Sequence, residues 1–268
     1  MISSLSFTPE FRRKLAELPV ADRRQWLESL AVSLETEAHG PSSARAVLEQ
    51  QLREVARGCR VELAASIERH LGPFDPLYLR AVLEVPRERF VRAGDVARSA
   101  DDTPLPLDDE GLATISAPHA YLLSFRLVDL SPGDTLLELG SGSGYGAALA
   151  EFIVGDSGAV VTVEIDDALV AFARQTLAGL ANVTVLHGDA EECDEIARGA
   201  KKIVVTFAVD ALPDAWLRAL PEGAVLVAPV GPRERDQKLV RVERVSGELC
   251  TTEHGAVRYV QNRSPNAR

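Results

Sequence analysis

Two short runs in this chain hold residue types that could do chemistry. Leu137-Glu138-Leu139-Gly140-Ser141-Gly142-Ser143-Gly144 sets three glycines at alternate positions directly after an apolar stretch. Gly140 permits a tight turn, and Gly142 and Gly144 remove side chains so that a ligand can approach the backbone. Upstream, Ala113-Thr114-Ile115-Ser116-Ala117-Pro118-His119 gathers two hydroxyls and an imidazole. The five histidines are scattered, and the three cysteines, Cys59, Cys193 and Cys250, contain no Cys-x-x-Cys. That spacing offers no metal site and no disulfide framework.

The elements that must position these residues follow from the apolar pattern. Thr135–Leu139 reads as a buried parallel strand, and Tyr145–Val154 as a helix with Ala147, Leu149 and Ala150 on its apolar side. Strand, glycine turn and helix together make a ligand site, with free N–H groups at the helix start. Ala159–Val163 reads as the next strand and ends in Glu164, an acid at a strand tip that can accept from both hydroxyls of a ribose. NAD satisfies this, and so does S-adenosylmethionine. The strictly alternating glycines depart from Gly-x-Gly-x-x-Gly, and Glu138 suits a cationic ammonium and sulfonium while it would repel a pyrophosphate, so the pattern favours S-adenosylmethionine. Val183–Leu186 reads as a third strand followed by Asp189, where adenine-amine readers sit in such sheets. Lys202–Phe207 reads as a fourth, whose end, Thr206–Pro213, borders the same crevice.

Residues from about Tyr78 to Tyr259 resemble the protein-L-isoaspartate O-methyltransferase family. Val85-Pro86-Arg87-Glu88-Arg89-Phe90-Val91, Asp102-Thr103-Pro104-Leu105-Pro106-Leu107, the Ala113–His119 run, Glu138–Tyr145, Pro229-Val230-Gly231 and Val257-Arg258-Tyr259-Val260 fall in the family's order. The glycine loop is shared by many methyltransferases; the Ala113–His119 run with Val85–Val91 upstream is far more specific. The resemblance implies a doubly wound, mostly parallel seven-stranded α/β sheet with a helical N-terminal extension. It implies S-adenosylmethionine as cofactor and a repair enzyme, and the whole-chain numbers fit a soluble cytoplasmic one. Its reaction would methylate the free α-carboxylate of an L-isoaspartyl residue in a damaged protein or peptide, and the ester would collapse to a succinimide. Carried over residue by residue, it gives Ser116 at the methyl-transfer centre. It gives Thr114, Ile115, Glu138, Gly140, Ser141, Gly142, Gly144, Glu164, Ile165, Asp189 and Ala190 around the cofactor, and Ala117, His119, Thr206, Phe207, Ala208 and Val209 around the substrate.

Several positions depart from the family pattern. Thr206-Phe207-Ala208 stands where the family has Thr-Ala-Ala, Gly188-Asp189-Ala190 where it has Gly-Asp-Gly, and Tyr259-Val260-Gln261-Asn262 where it has Tyr-Val-Pro-Leu. The loop Asp108-Asp109-Glu110 is unusually acidic. These changes leave cofactor binding intact and open two alternatives for the acceptor: the same chemistry on a dedicated peptide, or a non-catalytic module that binds S-adenosylmethionine.

The chain is long enough, at 268 residues, for one α/β domain and an extension, divided here as 1–75 and 76–268. A net charge of −11 argues against a nucleic-acid partner. No basic-then-apolar leader and no run of ~18 apolar residues is present, so no membrane partner is expected. Pro9–Leu18, Ala21–Glu37 and Ser42–His70 read as helices, punctuated by Pro19, Gly40-Pro41 and Gly72-Pro73. Val225–Val230, Lys238–Val245 and Gly255–Val260 read as closing strands, and the polar tail Asn262–Arg268 as frayed. Oligomeric state leaves no signature in the sequence.

Overall fold

The computed structural model describes residues 20–36 and 42–265, apart from 193, 197 and 234. It divides into two compact units, one ending at Leu105 and one beginning at Pro106. The helix expected over Pro9–Leu18 lies outside the described residues.

In the first unit, helices α1 (Val20–Thr36) and α2 (Ser42–Leu71) pack through Leu27, Leu30, Val55 and Ala56, with Trp26, Leu48 and Leu52 against them. Helix α3 (Pro76–Glu84) starts where Asp75 accepts the Leu77 N–H at 2.7 Å and Pro76 fixes the first turn. The following Val85–Val91 run is a structural staple. Arg87 is fully buried and donates to the carbonyls of Ser99 (3.0 Å), Asp101 (2.8 Å) and Thr103 (2.8 Å). Its neighbour Glu88 is buried too and receives Arg60 of α2 at 2.6 Å, while the same guanidinium donates to the Leu83 carbonyl at 2.9 Å.

The second unit is the expected doubly wound sheet. Helices α4 (Pro118–Val128), α5 (Tyr145–Val154), α6 (Asp167–Thr176) and α7 (Asp214–Ala219) accompany strands β1 (Thr135–Leu139), β2 (Ala159–Glu164), β3 (Val183–His187), β4 (Lys202–Val205), β5 (Val225–Val230), β6 (Gln237–Val245) and β7 (Glu248–Val257). The seven strands lie in the order β3-β2-β1-β4-β5-β6-β7. The pairs from β3 through β5 are parallel, and β6 and β7 close the sheet as an antiparallel meander. The chain winds one way from β1 to β3 and then returns to the other side of β1 with β4. The β1/β4 boundary is therefore the switch point, and the crevice beyond its carboxyl ends is where such sheets bind ligands. Leu137, Leu139, Ile203, Val205, Leu226 and Ala228 form the core beneath it.

Three expectations need correction. β4 ends at Val205 rather than Phe207, because the Thr206 hydroxyl turns back to the carbonyls of Leu139 (3.1 Å) and Gly140 (2.5 Å). The last strand runs over Glu248–Val257, not Gly255–Val260. Ser246 and Gly247 both have positive φ (54° and 81°), the geometry of a two-residue hairpin, so pairing starts at once after β6. The tail is not frayed through Asn262–Ser264, which is hydrogen-bonded to acids at the strand tips.

The Arg60–Glu88 pair is buried, so removing one partner strands a charge. Arg60→Ala is expected to destabilise the protein by about 3 kcal/mol in urea unfolding, and an unchanged midpoint would mean that Glu88 needs no partner.

Candidate active site

The turn after β1 sets the geometry. The N–H groups of Gly140 and Ser141 both donate to the Val163 carbonyl, at 2.8 and 3.0 Å. Gly140 has φ 98°, and a Cβ there would collide with the Thr206 hydroxyl and the Phe207 ring, so no other residue fits. Beyond the turn lies a cleft at the switch point. Strand tips form its floor. Leu112–Thr114 borders it on the chain's approach to α4, and Val260–Arg263 borders it from the tail.

Among the residues singled out in the sequence, Thr114, Gly140, Gly142, Glu164, Ile165, Asp189, Ala190, Thr206 and Phe207 line this cleft. Glu164 is buried at the tip of β2. Its Oε2 accepts the Gly142 N–H (2.8 Å), and its Oε1 accepts those of Ile165 (3.0 Å) and Asp166 (3.1 Å), so three backbone N–H groups fix the carboxylate, with the Arg263 guanidinium 3.5 Å from Oε1. Asp189, just past β3, accepts the Glu191 N–H at 2.9 Å. Phe207 does two things at once: it lines the cleft and packs edge-on against Trp216, with ring centroids 6.4 Å apart. Trp216 in turn donates its indole N–H to the Ala190 carbonyl at 3.0 Å.

The remaining residues stand behind this surface. Ile115, Ser116, Ala117, Ala208 and Val209 are buried and do not line the cleft, and Gly144 sits behind it as the residue before α5. Ser116 donates its N–H to the Tyr121 hydroxyl at 3.2 Å, and His119 occupies the first turn of α4. Glu138 lies beneath the glycine loop. It accepts the Thr162 hydroxyl at 2.6 Å, and Ser141 Oγ is 2.6 Å from the same Thr162 oxygen. With Thr162 donating to the carboxylate, the Ser141 hydroxyl is left to donate to Thr162. Burial, reinforced by the nearby Glu164 charge and opposed by the Thr162 bond, pushes the Glu138 carboxyl up to about 8. Gly146 makes room for it, since a Cβ there would overlap Glu138 Oε1.

Sequence reasoning did not mark Leu112, Val163, Leu169, Gly188 or the tail Val260–Arg263 as lining residues. The tail carried a signal, because it directly follows the Val257–Val260 run that matched the family. Its polar composition hid it. Among the described residues no group of His, Cys, Asp and Glu is gathered as a metal would need, and no helix is long and apolar enough to cross a membrane.

The donor set fits a nucleoside: one fixed acid at the tip of β2, a second acid past β3, a glycine that admits no Cβ, and apolar walls from Val163, Leu169 and Phe207. This mostly parallel sheet, closed by an antiparallel meander and with its cleft at the switch point, has the fold of the S-adenosylmethionine-dependent methyltransferases. The profile of the protein-L-isoaspartate(D-aspartate) O-methyltransferase family matches residues 74–266, and the chain belongs to that family. The protein-L-isoaspartate O-methyltransferase of Methanothermobacter thermautotrophicus is 40% identical over 171 residues, covering 63% of this chain and 78% of the relative. A solved protein-L-isoaspartate O-methyltransferase superposes with a TM-score of 0.68 at 27% identity, over 75% of this chain and 65% of that one. A Plasmodium falciparum beta-aspartate methyltransferase, solved in complex with S-adenosyl-L-homocysteine, shares the fold with a TM-score of 0.65 at 22% identity, over 75% of this chain and 97% of that one.

The position of Glu138 makes stability pH-dependent with a definite sign. Its folded-state value is raised from 4.5 to about 8, so its contribution is complete below 4.5 and is lost as pH rises toward 8. Glu138→Gln is expected to match the wild type near pH 5 and to exceed it by roughly 2–4 kcal/mol at pH 8–9 in urea unfolding. Parallel pH profiles would mean that Glu138 is ionised in the folded chain.

Proposed function

We propose that this enzyme transfers a methyl group from S-adenosylmethionine to the free α-carboxylate of L-isoaspartyl residues in damaged proteins or peptides and so initiates repair through a succinimide. The observation that carries this reading is that the family match spans every residue lining the cleft. In this reading residues 1–75 are a helical addition to a methyltransferase domain over 76–268, and the start of the family match at residue 74 supports the division. The enzyme is cytoplasmic and has neither a nucleic-acid nor a membrane partner. Its net charge of −11 supports the first exclusion, and its dispersed, odd cysteine set supports a reducing compartment.

The proposed roles follow from chemistry. Glu164 holds the ribose hydroxyls and Asp189, with Ala190, the adenine. Thr114 and Ile165 enclose the nucleoside, with the buried Ile115 supporting them from behind, and the Gly140–Gly144 turn lets the amino-acid portion lie against backbone. When bound, the cofactor supplies an electrophilic methyl carbon on a good sulfur leaving group. An acceptor carboxylate is already ionised at neutral pH, so no general base is required. One carboxylate oxygen forms the new bond to carbon as the carbon–sulfur bond breaks, and the electron pair stays on sulfur. The chain's work is alignment and exclusion of water. Ser116 orients the acceptor carboxylate by its hydroxyl, and Ala117, His119, Thr206, Phe207, Ala208 and Val209 shape the wall around it. Glu138 acts on the loop from beneath, through Thr162 and Ser141.

One observation favours a second reading. Phe207 takes up space in the cleft where the family has a small residue, which suits a dedicated peptide in place of a general damaged one. The test is incubation with S-adenosylmethionine and matched isoaspartyl and aspartyl peptides, read by mass spectrometry. A base-labile methyl on the isoaspartyl peptide alone is expected, with Ser116→Ala lowering kcat by ~10–100-fold at little change in cofactor affinity. No methyl on either peptide, with cofactor binding seen by calorimetry, would replace the repair reading by a dedicated acceptor or a binding role.

A further inference from the structure

The hydroxyl of a serine projects from the main chain through a single rotatable side-chain bond, so its reach is set by where the backbone is held. The backbone of Ser116 is held by Tyr121. The Ser116 N–H donates to the Tyr121 hydroxyl at 3.2 Å, in a buried bond that reaches back five positions along the chain. The sequence arranges this reach. Pro118 is the first residue of α4, and Tyr121 lies one turn into the helix. Helical side chains lean toward the N-terminus of their helix, which carries the tyrosine ring back over the segment that precedes α4. Ser116 and Tyr121 are both buried, so bulk water cannot replace the tyrosine oxygen as acceptor.

The ring of the same tyrosine touches the helix that follows the glycine loop. Tyr145, the residue after Gly144 and the first of α5, stands edge-on to Tyr121, with ring centroids 5.6 Å apart and planes at 84°. That is a favourable geometry for an aromatic pair. Phe125, one turn further along α4, lies with its centroid 6.5 Å from that of Tyr121. Gly146 completes the seat, since a Cβ there would lie 2.7 and 3.0 Å from Tyr121 Cε1 and Cδ1. The bare position in α5 that makes room for Glu138 therefore admits the Tyr121 ring as well.

Methyl transfer to a carboxylate is a problem of alignment, in which an ångström of misplacement costs about 100-fold in rate. Ser116 belongs to the acceptor side of that alignment and the Gly140–Gly144 turn to the donor side. Tyr121 touches Ser116 on one side and the start of α5, directly after that turn, on the other. We propose that Tyr121 is a positioning residue for methyl transfer: its hydroxyl fixes Ser116, and its ring fixes the distance of that serine from the donor loop. This rests on the reading of Ser116 as the residue that orients the acceptor carboxylate. Tyr121 does not line the cleft and acts through Ser116.

The experiment is a double-mutant cycle on the full chain, with wild type, Tyr121→Phe, Ser116→Ala and the double variant, assayed with S-adenosylmethionine and the isoaspartyl peptide. Tyr121→Phe keeps the ring and its aromatic neighbours and removes only the oxygen. It is expected to lower kcat about 5–20-fold, with the KM for peptide and the Kd for S-adenosylhomocysteine within about twofold of wild type. In the Ser116→Ala background the same substitution should change kcat by less than about twofold, whereas a tyrosine with a merely structural role would lower kcat alike in both backgrounds. A second measurement does not depend on turnover. Amide hydrogen exchange, read by NMR on protein carrying isotope-labelled serine, should show Ser116 losing protection in Tyr121→Phe, with Ser141, whose N–H bonds the Val163 carbonyl, unchanged. Unchanged kcat or unchanged Ser116 protection in Tyr121→Phe, with Ser116→Ala impaired, would overturn the proposal and leave the repair reading standing. Ser116→Ala turning over at the wild-type rate would overturn the role of the serine and the proposal with it. Absence of methyl transfer by the wild type would overturn the repair reading and the positioning role together.

Discussion

At the end of β1 two chains that ran side by side part company, and the gap between them is where the ligand goes. The Leu139 carbonyl takes both the backbone N–H (2.9 Å) and the hydroxyl (3.1 Å) of Thr206, while the next residue, Gly140, turns away to bond the Val163 carbonyl of β2. No Cβ can be accommodated at that position. The floor of the cleft, the direction of the glycine loop and the place of Phe207 all follow from this one junction. The rest of the sheet serves to hold β1 between β2 and β4 in register, which the parallel ladders on both sides of β1 accomplish.

Beneath the junction a polar chain runs through a region otherwise built of Leu, Val and Ala. Glu138, Thr162 and Ser141 connect the interior of β1, the interior of β2 and the loop, and each of the three is buried. A buried polar chain is worth having only if its members are satisfied, and here the Gly146 position inside α5 is left bare to accommodate the carboxyl group. Helix α5 gives up some intrinsic propensity for this, about 1 kcal/mol for a glycine against alanine. The arrangement ties the loop's conformation to the sheet, so that the ligand-facing backbone has little freedom to adapt.

How much of this was readable in advance depends on burial. β1, β2, β4 and β5 are apolar runs because both faces of the sheet are covered there, and the family motifs fall at their ends. β7 escaped because its side chains are exposed on both faces and show no alternation, although Ser246-Gly247 marked the turn. The ordering of Asn262–Ser264 escaped for a different reason. Its polar side chains are satisfied by acids about 70 to 100 positions earlier in the chain, and no local pattern can announce such partners. The direction of the Glu138 side chain was also beyond reach. Alternation along a strand does not say which side of a covered sheet holds a hydrophilic pocket.

The antiparallel end of the sheet bears on how the chain reaches its native state. β6 and β7 are joined by two residues, so their pairing closes a minimal loop. Leu136 meets Lys202 only after β2, β3 and their helices have been threaded between them. Closing longer spans loses more chain entropy before any contact compensates. The meander can therefore nucleate early as a local unit, while the β1/β4 junction waits for the non-local half. When the full-length chain refolds, the cleft is then among the last features of the domain to form, because it needs the non-local β1/β4 pairing that the meander does not.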